Sequence, residues 1–307
     1  MRASEVTSSS AFLRSTERKW LRKFEPAFYI APAFLVLILI LIYPLGYSFW
    51  LSFHRWTLRN FVNGVPWVGL QNYISLFSNP DFLASLRITF TFLISAITIE
   101  FVFGMGLALL LNQTLKGIGV IRSIILLPMM CTNVVIGLTW RLLFNYEFGI
   151  INFYLSQLHL TPVQWLSLPN LAMVSLIIVD VWNTTSFVAL MLLAGLQSLP
   201  EEPFEAARID GASAWQSFRF ITLPLLRQNI LVALLWRLID TFRIFDVVYL
   251  LTAGGPARAT ETVSMYVYNY GFKSFNLGYA SAASYAMILI MLVIAGLLAR
   301  SIGRTYT

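Results

Sequence analysis

Charge is scarce in this chain. Only 11% of its 307 residues are Asp, Glu, Lys or Arg, while 58% are hydrophobic. A soluble domain carries about 25% charged residues, so a soluble globular fold is excluded and the multi-span membrane class is indicated. Cysteine is nearly absent. The single Cys131, inside an apolar stretch, permits neither an internal disulfide nor a cysteine-based zinc site, and a lone thiol in such a setting is inert packing. The two histidines, His54 and His159, lie far apart in expected loops, and no metal site is expected. No Gly-x4-Gly-Lys-Ser/Thr and no Gly-x-Ser-x-Gly occurs, which removes nucleotide hydrolysis and serine-nucleophile chemistry from the candidate functions. No repeat or low-complexity tract appears beyond the serines at 8–10.

What is present is a series of apolar runs. Six segments are long enough to cross a bilayer, at 28–51, 85–112, 120–144, 171–197, 227–253 and 279–300. The pattern predicts an all-α integral membrane protein. It has an N-terminal segment 1–27, a six-helix membrane domain 28–300 and a tail 301–307. The net charge of +7 reflects topology rather than nucleic-acid binding. With the N-terminus inside, 13 of the 21 Lys and Arg fall inside, 6 outside and 2, Arg237 and Arg243, within the fifth span. The positive-inside rule therefore places both termini and the loop 198–226 in the cytoplasm.

That loop is polar. Pro203 suits a first helical turn, with Glu202 and Glu205 favourable near its N-terminus. Gly211 can end this helix. A second short helix then runs from about Ala212, with Trp215, Phe218 and Ile221 spaced by three, and Pro224 is expected to stop it. The result is a helix–turn–helix, small residues on one arm and aromatics on the other, shaped to receive a partner surface. An ordinary amphipathic loop is the alternative.

The residues Glu205-Ala206-Ala207, three residues on Gly211, then nine residues on Ile221-x-Leu223-Pro224 resemble the EAA loop of ATP-binding-cassette (ABC) importer permeases. The run Phe245-Asp246-Val247-Val248-Tyr249-Leu250-Leu251-Thr252, followed by Gly254-Gly255-Pro256 and Ala259-Thr260-Glu261-Thr262, is similar to the first permease subunit of carbohydrate uptake systems. Gly69-Leu70-Gln71-Asn72-Tyr73 is similar to the first outer loop of the same group. The resemblance covers nearly the whole chain. It implies a type I importer fold in a bacterial inner membrane. It also implies a second homologous permease subunit, two ATPase subunits that bind ATP and Mg, and an extracytoplasmic binding protein that delivers a sugar or sugar-like solute. No cofactor is expected in this chain. Contact with the ATPase is implied for Glu205, Ala206, Ala207, Asp210, Gly211, Trp215, Phe218, Leu223 and Pro224.

Polar residues inside spans mark a pathway or an interhelical tie. The fifth span holds Arg237, Asp240, Arg243 and Asp246. Arg237 and Asp240, three apart, can pair. Arg237, Thr241, Ile244 and Val248 follow one helical face, and Phe242 or Phe245 could stack on a sugar ring. In the fourth span Asp180, Thr184 and Phe187 share a face, with Asn183 beside it. By position, the resemblance maps pocket residues onto Asp180, Asn183, Thr184 and Phe187. The candidate pathway is thus Asp180, Asn183, Thr184, Phe187, Arg237, Thr241, Ile244 and Asp246, and structural interhelical bonding is the competing role. Counted from the inner ends at 1.5 Å per residue, both polar faces lie about 15–25 Å up, near the midplane. Glu100, a lone carboxylate in the second span, needs a partner such as a nearby Arg; a proton relay would require a chain of such groups. An ion-coupled secondary transporter is the alternative function, but that class has related halves and more spans.

Overall fold

The computed structural model describes residues 29–303 except 59, 61–63 and 114–115. The N-terminal segment 1–27, Arg59 and the tail from 304 onward lie outside the described residues. Among those described the protein is helical, and its only β pairing is an isolated antiparallel bridge between His54 and Trp67. Five helices are long and apolar enough to cross a membrane, or six if one bent pair counts as a single span.

The first is α1, Tyr29–Ser52. Its side chains stay almost entirely exposed until the last turn, and a surface this apolar requires lipid or another subunit. After a short helix α2 (Gln71–Phe77), α3 runs from Pro80 to Leu111. Its start is built in the sequence. Asn79 caps the helix by accepting from the Asp81 N–H at 2.9 Å, Pro80 occupies the first turn and Asp81 faces the positive end of the helix dipole. The long helix α7, Pro169–Gln197, likewise opens on a proline. It packs along α3, and the approach is close where Gly104 faces Val188. A Cβ at Gly104 would lie 2.8 Å from a Val188 methyl, whereas Gly106 faces open space.

The expected third span, 120–144, is not one helix. It is α4 (Ile118–Met130) and α5 (Asn133–Leu143), meeting at 93°. Pro128 sits in the last turn of α4, where it removes a donor and crowds the preceding carbonyl, and Cys131 and Thr132 then adopt extended backbone. Cys131, expected in packing, is exposed at this corner. The amphipathic helix α6 (Ile150–Gln157) follows.

The expected fifth span also differs. The helix begins much earlier and ends sooner, running as α9 from Ala214 to Phe242 after a short helix α8, Glu202–Ile209. Pro224 does not stop it. A π turn over Phe218–Thr222 lets the Leu223 N–H bond the Phe218 carbonyl, five residues back, and the helix continues through Pro224. The same arrangement carries α1 through Pro44, where Tyr43 bonds Ile38 across a π turn at Ile38–Ile42. Widening one turn gives the proline ring room without losing the helix. Beyond Phe242 the helix breaks at Arg243–Phe245 and resumes as α10, Asp246–Leu251. Ile244, in the break, and Val248, beyond it, therefore do not continue the Arg237–Thr241 face. A final pair, α11 (Val263–Tyr268) and α12 (Leu277–Gly303), closes the chain.

The main apolar core forms where α3, α5, α7 and α10 meet, with Phe92, Ile136, Leu176 and Val248 fully enclosed. Two further clusters, around Leu192 and Leu226 and around Leu238 and Phe242, fix α9 to its neighbours.

Candidate functional site

A cavity of about 170 Å³ opens where α5, α7 and the α9–α10 break come together. The break supplies most of it. Because the chain turns at Arg243–Phe245, successive side chains Asp240, Thr241, Arg243, Ile244, Phe245 and Asp246 reach one space instead of spiralling round a helix. Asn133 and Ile136 come from α5, and Val179, Asp180, Asn183 and Thr184 from α7. Ligand pockets usually measure roughly 300–1,000 Å³, so this chain alone provides part of one.

Arg237 lies behind that space, bonded to its lining residues Asp180 and Asp240, and is fully buried. Its Nε donates to Glu100 Oε2 at 2.7 Å and its Nη2 to Glu100 Oε1 at 2.7 Å. Nη2 also donates to Asp180 Oδ2 at 2.9 Å, and Nη1 to Asp240 Oδ2 at 3.0 Å. The Thr184 hydroxyl adds a donor to Glu100 at 2.7 Å. One guanidinium thus ties α3, α7 and α9 together. Its planar fork suits the bidentate grip on Glu100. Two neighbouring atoms have no hydrogen-bond partner among the described residues, Asn183 Oδ1 and Thr241 Oγ1, and both residues line the cavity. Buried polar atoms without partners are uncommon in folded proteins.

The loop between α7 and α9 has well-defined ends. At the close of α8 the Ala212 N–H bonds the Ala207 carbonyl at 2.9 Å and the Gly211 N–H bonds that of Arg208 at 3.2 Å, with Gly211 at φ 75°. This is a Schellman motif, and glycine tolerates its left-handed backbone. Ser213 then caps α9 in a reciprocal capping box with Gln216. Ile209, Trp215 and Phe220 are exposed at 87%, 64% and 68%, an apolar surface that no part of the described chain covers.

The description "binding-protein-dependent transport system inner membrane component" matches residues 100–305. The chain belongs to that family. It is a permease subunit of an ABC importer. The permease is 41% identical over 266 residues to the trehalose/maltose transport system permease protein MalF of Thermococcus litoralis, covering 86% of this chain and 88% of that one. It is 36% identical over 298 residues to the trehalose transport system permease protein SugA of Mycobacterium tuberculosis, covering 97% and 94%. Among solved structures, a bacterial importer of the acidic polysaccharide alginate superposes with a TM-score of 0.80 at 23% identity, covering 94% of the permease and 99% of that chain. That likeness establishes the type I importer permease fold.

The permease brings Asp180, Asn183, Thr184, Thr241, Ile244 and Asp246 to one cavity. Arg237 is held behind its wall. Phe187 is not among the lining residues; its ring lies 4.1 Å from that of Trp236 on α9. Phe242, expected as a possible stacking ring, is fully buried against Phe90, so only Phe245 lines the space. Sequence reasoning missed Asn133, because the bend that aims it into the cavity was not foreseen. In the loop, Glu205, Ala206, Asp210, Gly211, Trp215 and Pro224 are exposed, Phe218 and Leu223 are half-buried, and Ala207 is buried.

Proposed function

We propose that the permease forms one half of the path for a carbohydrate, with α7 and the α9–α10 break as its wall. A second homologous permease would complete the path. The carbohydrate reading comes from the relatives' trehalose and maltose substrates and from the cavity's polar lining. The observation that carries it is the pair of polar groups without a partner among the described residues, the Asn183 amide oxygen and the Thr241 hydroxyl, beside carboxylates in one cavity. Sugar hydroxyls supply what those atoms lack.

Loop 198–226, placed in the cytoplasm by the basic-residue bias, receives one of the two ATPase subunits that bind ATP and Mg. The exposed Ile209, Trp215 and Phe220 support that docking, since exposed apolar clusters of this kind mark partner surfaces. A solute-binding protein, as the family's description implies, delivers the substrate from the opposite side.

The test is cysteine accessibility in the assembled complex after Cys131→Ser. Asn183→Cys and Thr241→Cys should react with polar thiol reagents when ATP is trapped, and maltose or trehalose should slow the reaction. Failure of both positions to react in every nucleotide state would reject the path.

A further inference from the structure

The charges around the cavity do not balance. Arg237 brings one positive charge and contacts three carboxylates, Glu100, Asp180 and Asp240. Arg243 brings a second, but it is bonded to Asp240 at 3.3 Å and its side chain is 67% exposed. Asp246 lines the same cavity and makes no ion pair among the described residues. Four carboxylates therefore meet two guanidiniums.

The geometry decides which of these charges an entering solute meets. Arg237 is fully enclosed, and each of its three nitrogens already donates to a carboxylate. It has no face toward the cavity with which to receive an anion. Asp180, Asp240 and Asp246 do line it, against one lining cation, Arg243, whose guanidinium is already bonded to Asp240. Thr241 lines it too, only 1% exposed, and its hydroxyl has no partner among the described residues. An ionised carboxylate only accepts hydrogen bonds. A neutral polyol meets such a wall with its hydroxyl donors, whereas an anion brings further acceptors and like charge. In a site partly shielded from water that repulsion is stronger than in bulk.

We infer that this wall selects for uncharged polyhydroxylated solutes and against anionic ones such as uronates, sulfonates and phosphate esters. Arg237, behind the wall, is not an anion receptor. The inference rests on reading the cavity as the solute path. The fold does not settle the matter, because the same fold serves an acidic polysaccharide in the alginate importer.

The experiment reads the field of the cavity without knowing the sugar. Ile244→Cys is made in the Cys131→Ser background and assembled with its companion subunits, and assembly is checked by co-purification. Its rates with a cationic and an anionic methanethiosulfonate, the trimethylammonium and sulfonate ethyl reagents, are measured and divided by those of a free thiol. The cation-to-anion ratio should exceed that of the free thiol at least tenfold. Adding Asp246→Asn, or separately Asp240→Asn, should lower it about tenfold. One charge ~6 Å away in a water-like dielectric changes each rate about threefold, in opposite directions for the two reagents. A ratio equal to or below the free-thiol value would overturn the charge inference and leave the path intact. If neither reagent reacts in any nucleotide state, while the exposed native Cys131 of the parent protein does, the path itself is rejected and the inference falls with it.

Discussion

Replacing Arg237 by methionine should lower the melting temperature of the permease by roughly 6–20 °C. The guanidinium is fully buried and donates at 2.7, 2.7, 2.9 and 3.0 Å to carboxylates on three helices. Removing it leaves Glu100 and Asp180 crowded together without a counter-charge, and Asp240 with only the exposed Arg243. Breaking a buried pair by deleting one member costs about 3–5 kcal/mol, mostly from the charge left behind. For a chain of this size each kcal/mol corresponds to about 2–4 °C. Glu100→Gln should be milder, because Asp180 and Asp240 still neutralise Arg237 and the amide oxygen still accepts one N–H. The double variant Glu100→Leu with Arg237→Met should recover about 2 kcal/mol relative to additivity, since the charge stranded by one change is removed by the other. The assay is thermal unfolding of the purified permease in one fixed detergent or nanodisc, with the parent, Arg237→Met, Glu100→Gln, Glu100→Leu and the double variant, five proteins, measured side by side. A melting point for Arg237→Met within about 1 °C of the parent, or strict additivity in the double variant, would refute the reasoning.

Three further outcomes follow from local geometry. Gly211→Pro and Glu205→Lys should abolish ATP-driven uptake while leaving the protein inserted, because the first destroys the Schellman turn and the second reverses charge at the start of α8; normal uptake by both would refute a docking role. Gly104→Leu should destabilise by about 1–3 kcal/mol through overpacking against Val188, read as a lower melting point, whereas Gly106→Leu, facing open space, should be close to neutral. Asn152 is buried, donates to the Tyr146 and Val163 carbonyls and accepts from the Val163 N–H and the Trp165 indole. Asn152→Ala should cost about 2–4 kcal/mol locally, seen as faster hydrogen exchange over residues 144–168 with little change in α7.

Hydropathy located the spans because a bilayer imposes a length and an apolar composition on anything that crosses it. It could not locate the 93° corner after α4, because hydropathy records how apolar a segment is and not where its axis points; Pro128 was the only local sign. Pro224 pointed the wrong way. Its lost hydrogen bond is absorbed by a π turn, and nothing in the residue types of Phe218–Thr222 announces one. The Arg237–Asp240 pair was legible from its spacing of three. Glu100 and Asp180 lie 137 and 57 residues from Arg237, so their meeting could be read only as a demand, each buried charge needing an opposite one. The break at Arg243–Phe245 was invisible for a related reason. All three side chains are compatible with helix, and tertiary packing of α10 against α5 overrides them.

The uninterrupted course of α9 has a mechanical meaning. Trp215, on the exposed surface of the loop, and Thr241, in the cavity, belong to one helix with no break between them, about 39 Å apart at 1.5 Å per residue. A helix resists compression along its axis far better than a loop does. A displacement imposed at the Trp215 end therefore arrives at the Thr241 end as a translation or tilt of the whole element, like a connecting rod. The compliant point is at the cavity itself, at the break Arg243–Phe245. The rod thus ends where the joint begins, and the side chains at that joint are among those that line the cavity.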